Sequence, residues 1–169
     1  IREMNIVRQS ISSVKGGRFA QMIYPGKLIT YAISDIPGDD PKFIGSGPTV
    51  NSSLNVDDAI EILKKYQIDV DDEIYKIIRK YHAPKINKTP FYFVSTPMMA
   101  LIAAKEEALK KNMIPIILSD KLEGEACIEG QKMGMLALKI KKNKKYKDIP
   151  LDKPLLLLSG GETSVTIKG

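Results

Sequence analysis

Three carboxylates fall within six residues in the segment Ser34-Asp35-Ile36-Pro37-Gly38-Asp39-Asp40-Pro41. Carboxylates that close, Asp39 and Asp40 above all, can organise Mg2+, whose octahedral shell accepts one or two protein carboxylates together with waters and substrate phosphate oxygens. Asp also caps turns and helices, and the spacing alone is compatible with either role. Shortly after, Gly45-Ser46-Gly47-Pro48-Thr49 combines glycines, which let a ligand approach the backbone, with hydroxyl donors. It does not follow G-x-x-x-x-G-K-[ST], which argues against a P-loop NTPase, and a simple turn is the competing reading.

Two further glycine pairs carry charge or hydroxyls. Lys15-Gly16-Gly17-Arg18 places a point charge and a planar guanidinium beside flexible backbone, suited to a carboxylate or phosphate; a charged helix end is the alternative. Ser159-Gly160-Gly161-Glu162-Thr163 follows the most hydrophobic run of the chain, where paired glycines leave backbone N–H groups able to face an anion. Nucleophilic catalysis has little support. Cys127 falls inside a helical pattern, where a small buried side chain is expected, and His82 reads as a cap or dipole partner at a helix end. One Cys and one His exclude an internal disulfide and the usual zinc or haem ligand sets.

These segments need elements to hold them. Apolar spacing predicts a short helix over 6–14, resuming over 19–23, and a buried strand over 28–33. Residues 36–53 show neither period and read as a long, functional loop. Asn55 caps a helix through Tyr66, with Asp57 and Asp58 at the positive end of its dipole, and a second helix starts at Asp71 and Asp72. Strands over 91–94, 114–118 and 155–158 alternate with helices over 98–111 and 123–142, and 163–167 alternates as a short strand would. Strands alternating with helices imply an α/β fold with a parallel sheet built from Rossmann-like βαβ units. The polar connector 85–89 is the expected boundary, giving parts of two α/β domains, 1–86 and 87–169.

Composition narrows the classes. The 169 residues carry 26 Lys plus Arg against 20 Asp plus Glu, a net charge of +6, with 43% hydrophobic residues, as in a globular protein. Six lysines between Lys139 and Lys147 supply the whole surplus. That run holds no Arg and only Tyr146 among aromatics, which favours a solvated helix end and loop over a nucleic-acid or other polyanion contact. No apolar stretch approaches the roughly 20 residues of a membrane span, and no signal peptide is visible, so a cytoplasmic location is expected.

In order and in register, Lys15-Gly16-Gly17-Arg18-Phe19-Ala20, the Ser34 to Pro41 segment, Gly45 to Thr49, Leu122-Glu123-Gly124-Glu125-Ala126 and Ser159 to Thr163 resemble the MOFRL-type glycerate 2-kinases. The resemblance implies phosphorylation of D-glycerate at its 2-hydroxyl with ATP and Mg2+, in a cleft between two α/β domains. It implies that Lys15 and Arg18 pair with the glycerate carboxylate or a phosphate, and that Asp39 and Asp40 organise the metal or substrate hydroxyls. Ser34, Asp35, Gly45, Ser46, Gly47 and Thr49, with Ser159, Gly160, Gly161, Glu162 and Thr163, would bind substrate or nucleotide. Some members carry a hydroxypyruvate reductase label, which the absence of G-x-G-x-x-G after a strand does not support. Val94-Ser95-Thr96-Pro97-Met98 departs from the family's usual Gly-Ser pair and Asn or Gln. Family chains are also longer at both ends, so this chain resembles a central part, expected to be inactive alone. A non-catalytic nucleotide- or anion-binding α/β module is the alternative, and a polyanion-binding module using the lysine run a third.

Overall fold

A computed structural model describes residues 2–52, 54–87 and 89–168. The chain forms two compact units, one of Ile1–Ala32 with Asp39–Val94 and one of Ile33–Gly38 with Ser95–Gly169.

The first unit is built on helices α1 (Arg2–Ile11), α2 (Arg18–Ile23), α3 (Val56–Lys65) and α4 (Asp72–Arg79). Helix α1 begins and ends earlier than its apolar pattern suggests, and it buries the polar residues Asn5, Gln9 and Ser10 as well as packing an apolar face. Asn55 caps α3 as expected, its side chain accepting from the Asp57 N–H. Ala59, Leu63 and Ile78 are the fully enclosed core where α3 meets α4, and Ile6 and Val7 of α1 pack against it. Lys65 Nζ bonds Glu3 at 2.7 Å and the Tyr66 hydroxyl donates to the same carboxylate at 2.6 Å, tying α1 to the end of α3. The expected long loop contains one 3-10 turn, Ile44–Ser46.

Strands β1 (Thr30–Ile33) and β2 (Phe91–Ser95) pair. Bonds from Thr30 N to Pro90 O and from Ser34 N to Ser95 O advance along both strands together, so the pair is parallel. The expectation of a buried strand is corrected. Burial alternates along β1, and Tyr31 and Ile33 are about two-thirds exposed, with Tyr31 stacked on Tyr92.

In the second unit β3 (Ile114–Leu122) and β6 (Leu155–Gly161) pair in parallel, and α5 (Pro97–Lys110), capped by the Thr96 hydroxyl, packs on both. Thus the α/β class with parallel strands holds, in small two-stranded sheets. Strand β3 extends to Leu122 and α6 (Ala126–Asn143) starts later than expected, because bulges after Ile117 and Ser119 let polar residues stay in register with β6. The segment 163–167 is not a strand: it makes one bridge, Ser164 to Glu125, and Thr166 donates to the Glu125 carboxylate instead of to a ladder. A small hairpin, β4 (Lys145–Tyr146) with β5 (Ile149–Pro150), went unanticipated within the lysine-rich stretch. Cys127 is exposed, not buried, since α6 turns that face outward. None of the described helices is long and apolar enough to cross a membrane.

Candidate functional site

In the first unit the Lys15 to Arg18 and Gly45 to Thr49 segments are zipped together. Gly16 N–H donates to Ser46 O at 3.0 Å, Gly17 N–H to Gly47 O at 2.8 Å and Ala20 N–H to Pro48 O at 3.3 Å, while Lys15 Nζ reaches Gly45 O at 3.0 Å. Glycine is required at two of these places. Gly17 and Gly47 lie at φ 88° and 61°, and a Cβ on either would stand 2.8 Å from a carbonyl oxygen, of Val50 and Lys42 respectively. The glycines therefore serve loop-to-loop contact. Ser46 and Gly47 direct their own N–H groups to Phe43 and Ile44 carbonyls within the turn.

Arg18 points inward. Its Nη1 donates to Gln9 O at 2.8 Å and to Ser12 O, carbonyls at the end of α1 that have no intrahelical partner, and its guanidinium lies 4.3 Å from the centre of the Tyr81 ring. The cation thus complements the negative end of the α1 dipole. Asp40 Oδ1 accepts from Lys42 N–H at 3.0 Å, a turn contact. Asp39 adopts φ 53°, and its buried Oδ1 has no hydrogen-bond partner among the described residues. Thr49 is buried and accepts at Oγ1 from the Thr30 hydroxyl.

In the second unit Ser34 is buried at the end of β1, and Asp35 beside it is exposed. Ser159, Gly160 and Gly161 lie inside β6, not after it. Gly161, at φ 129°, passes so close to β3 that a Cβ would sit 2.3 Å from Leu122 backbone, and Gly160 faces Leu101 and Pro97 of α5. Glu162 and Thr163 are exposed beyond the strand.

Buried polar atoms normally find partners, so the exceptions are informative. Among the described residues four side chains carry such an orphan: Ser34 Oγ, Asp39 Oδ1, Ser159 Oγ and Tyr81 Oη. Three of them are residues that the sequence singles out. An orphaned carboxylate oxygen at Asp39 fits a divalent cation held by one or two carboxylates and otherwise by water and phosphate. No group of three or more His, Cys, Asp or Glu among the described residues converges as a full metal cage would.

Sequence reasoning missed the residues that hold the 40–52 segment in place. Asn5 and Gln9, at i and i+4 on α1, bond Ser46 and Ser52 hydroxyls at 2.7 and 2.8 Å, and Gln9 Nε2 donates to Lys42 O at 2.9 Å. Polar residues at that spacing read as a solvent face. Only their lone position opposite Ile6 and Val7 could have drawn notice. A depression of about 120 Å³ borders this cluster, lined in part by Arg2, Gln9, Lys42 and Asp58, too small for a nucleotide.

Residues 1–79 match the family model described as "Domain of unknown function (DUF4147)". The chain is 38% identical over 170 residues to an Agrobacterium vitis protein named as a hydroxypyruvate reductase, across 99% of this chain and 43% of that one. It is 34% identical over 169 residues to the D-glycerate 2-kinase of Thermotoga maritima, across 100% of this chain and 40% of the relative. A crystal structure of glycerate kinase from Thermotoga maritima superposes with a TM-score of 0.81 at 33% identity, over 99% of this chain and 40% of that one. The chain therefore spans about two-fifths of the length of the relatives it matches.

Proposed function

Given that this chain belongs to the family of DUF4147-containing glycerate 2-kinases and their hydroxypyruvate reductase-named relatives, we propose that its protein transfers the γ-phosphoryl group of ATP to the 2-hydroxyl of D-glycerate, yielding 2-phosphoglycerate and ADP. We place the reaction in the cytoplasm and take 1–86 and 87–169 as parts of two α/β domains. The observation that carries the reading beyond similarity is that buried oxygens of Ser34, Asp39 and Ser159, three positions of the motifs that resemble the family, have no hydrogen-bond partner among the described residues.

Phosphoryl transfer asks a protein mainly for positioning and charge neutralisation. The chemistry a bound Mg2+ would supply is neutralisation of phosphate charge. Asp39 would hold it, with Asp40 supplying its second carboxylate oxygen while Oδ1 keeps the turn. Lys15 retains ammonium hydrogens beyond its bond to Gly45 O and would pair with the glycerate carboxylate or a phosphate. Arg18 acts at one remove, by fixing the end of α1 against the glycine segment. The hydroxyls of Ser34 and Ser159 would donate to substrate or nucleotide oxygens.

The test is ADP release by the full-length protein with D-glycerate, ATP and Mg2+, with the product isomer identified. A parallel arm offers hydroxypyruvate and NADH. We expect 2-phosphoglycerate. ATP binding without ADP release would favour the non-catalytic nucleotide-binding module, and NADH oxidation without phosphorylation would favour the reductase name.

A further inference from the structure

The segment from Lys42 to Ser52 has an unusual backbone around its 3-10 turn. Gly45, Ser46 and Gly47 are successive left-handed residues, at φ 57°, 64° and 61°. Ser46 is not a glycine, and it is nearly fully buried at 2% exposure. A conformation of this kind is costly for a residue with a Cβ and persists only where the surroundings over-determine it.

Besides the backbone bonds from Gly16 and Gly17, those surroundings include two amides from one helix face. Asn5 and Gln9 are 4% and 5% exposed, and each works in both directions. Asn5 Oδ1 accepts from Ser46 Oγ at 2.7 Å while its Nδ2 faces Phe43 O at 3.5 Å. Gln9 Oε1 accepts from Ser52 Oγ at 2.8 Å while its Nε2 donates to Lys42 O at 2.9 Å. An amide carries its donor and its acceptor on separate atoms without charge; a carboxylate would leave the carbonyl of Lys42 or Phe43 facing a second acceptor. The remaining face of α1 is fixed independently, by Ile6 and Val7 on the α3 and α4 core.

We propose that Asn5 and Gln9 are positioning residues of the phosphoryl-transfer site, locking the 42–52 segment into the left-handed shape that carries Gly45 to Thr49 and follows directly on Asp39 and Asp40. This rests on the functional reading above. Neither residue touches substrate. They act through Ser46, Ser52 and the two carbonyls, and release of those contacts lets the segment sample other shapes without dissolving the apolar core. A displacement on the order of 1 Å in such a segment lowers rate by up to about a hundredfold.

The test uses Gln9→Met in the full-length protein, which keeps length and helix propensity and removes both hydrogen bonds. Amide exchange is followed at Gly16, Gly17, Ser46 and Gly47, whose N–H groups are all bonded in or onto the segment. We expect faster exchange at these four, unchanged exchange in α3 and α4, and a loss in kcat/KM for glycerate of about tenfold or more. In the double variant Gln9→Met with Ser52→Ala, the second change should add less than Ser52→Ala costs alone, because the bond to Gln9 is already gone and only the acceptance from Leu54 N–H remains to be lost. Unchanged exchange at the four amides would overturn the proposal, as would acceleration spread equally through α3 and α4, or a loosened segment with kcat/KM within twofold. If Gln9→Met does not fold, Ser52→Ala alone is read by the same exchange and rate criteria. A wild-type protein that turns over no glycerate would strike the functional reading only, since exchange is measured without substrate.

Discussion

Asp39 and Asp40 are neighbours with different environments, and the difference makes Asp39 the sharper test. Asp40 Oδ1 accepts a backbone N–H, a contact that an Asn carbonyl reproduces. Asp39 has a buried oxygen with no partner and a left-handed backbone that Asn tolerates as well as Asp does. Asp39→Asn in the full-length enzyme should therefore fold and lower kcat/KM more than about tenfold, roughly 1.4 kcal/mol, with a defect that shrinks as Mg2+ is raised. A loss under twofold, at any Mg2+ concentration, would return Asp39 to a turn residue. Glu3 makes a different kind of prediction. Its carboxyl is held below the ordinary value of 4.5 by the hydrogen bond from Lys65 and then by that from Tyr66, and the same contact raises Lys65 above 10.5. The depressed acid contributes stability above pH 4.5 that is lost as pH falls through its folded value, and the raised base contributes below pH 10.5 and fades as pH climbs through its own. The groups are exposed, so the effect is small. Urea midpoints of wild type and Glu3→Gln should differ slightly at pH 7 and converge as the pH steps down past 4.5; a constant gap would assign the difference to packing.

At the scale of elements, two glycines in the second unit make opposite predictions. Gly161→Ala would put a Cβ 2.3 Å from the backbone of Leu122 at φ 129°, and is expected to cost above about 3 kcal/mol, read as a drop in thermal midpoint. Gly130 lies within α6 with nothing within 4 Å of an added Cβ, and Gly130→Ala should stabilise by about 0.5 to 1 kcal/mol. The pair also marks what could be read in the residues beforehand. The α3 cap at Asn55, the acidic start of α4 and the alternation of strand and helix from Phe91 onward follow from local rules, and all appear. Ser159-Gly160-Gly161 reads as a free loop because glycine pairs usually punctuate, yet here they continue β6 so that β3 can come close. The motif positions were legible as special; the reason was not, since Gly16 and Gly17 meet Ser46 and Gly47 across some 30 residues of sequence that no local pattern spans. The amide face of α1 was illegible for the same cause.

For the molecule as a whole, the surplus charge is gathered in one exposed stretch. All six lysines of the run are exposed, on the last turns of α6 and on the small hairpin. Replacing Lys141, Lys142, Lys144 and Lys145 with Gln in the full-length enzyme should weaken nonspecific polyanion binding and leave kcat/KM within about twofold, because net charge governs the former; a tenfold loss would bring the run to the substrate. The connectivity of the two units has a separate, practical outcome. The polypeptide enters the second unit at Ile33, leaves it at Asp39 and returns at Ser95, so Ile33–Gly38 is a six-residue inset carried within the sequence of its neighbour. It is fastened there by the bond from Ser34 N to Ser95 O. No single cleavage point divides the units. A nick near residue 95 leaves the inset attached to the wrong half, and a chimaera made by joining one relative's front to another's back would mate an inset from one parent with a host from the other. A chimaera that keeps the inset with its host therefore needs two crossovers flanking 33–38 together with one at 95.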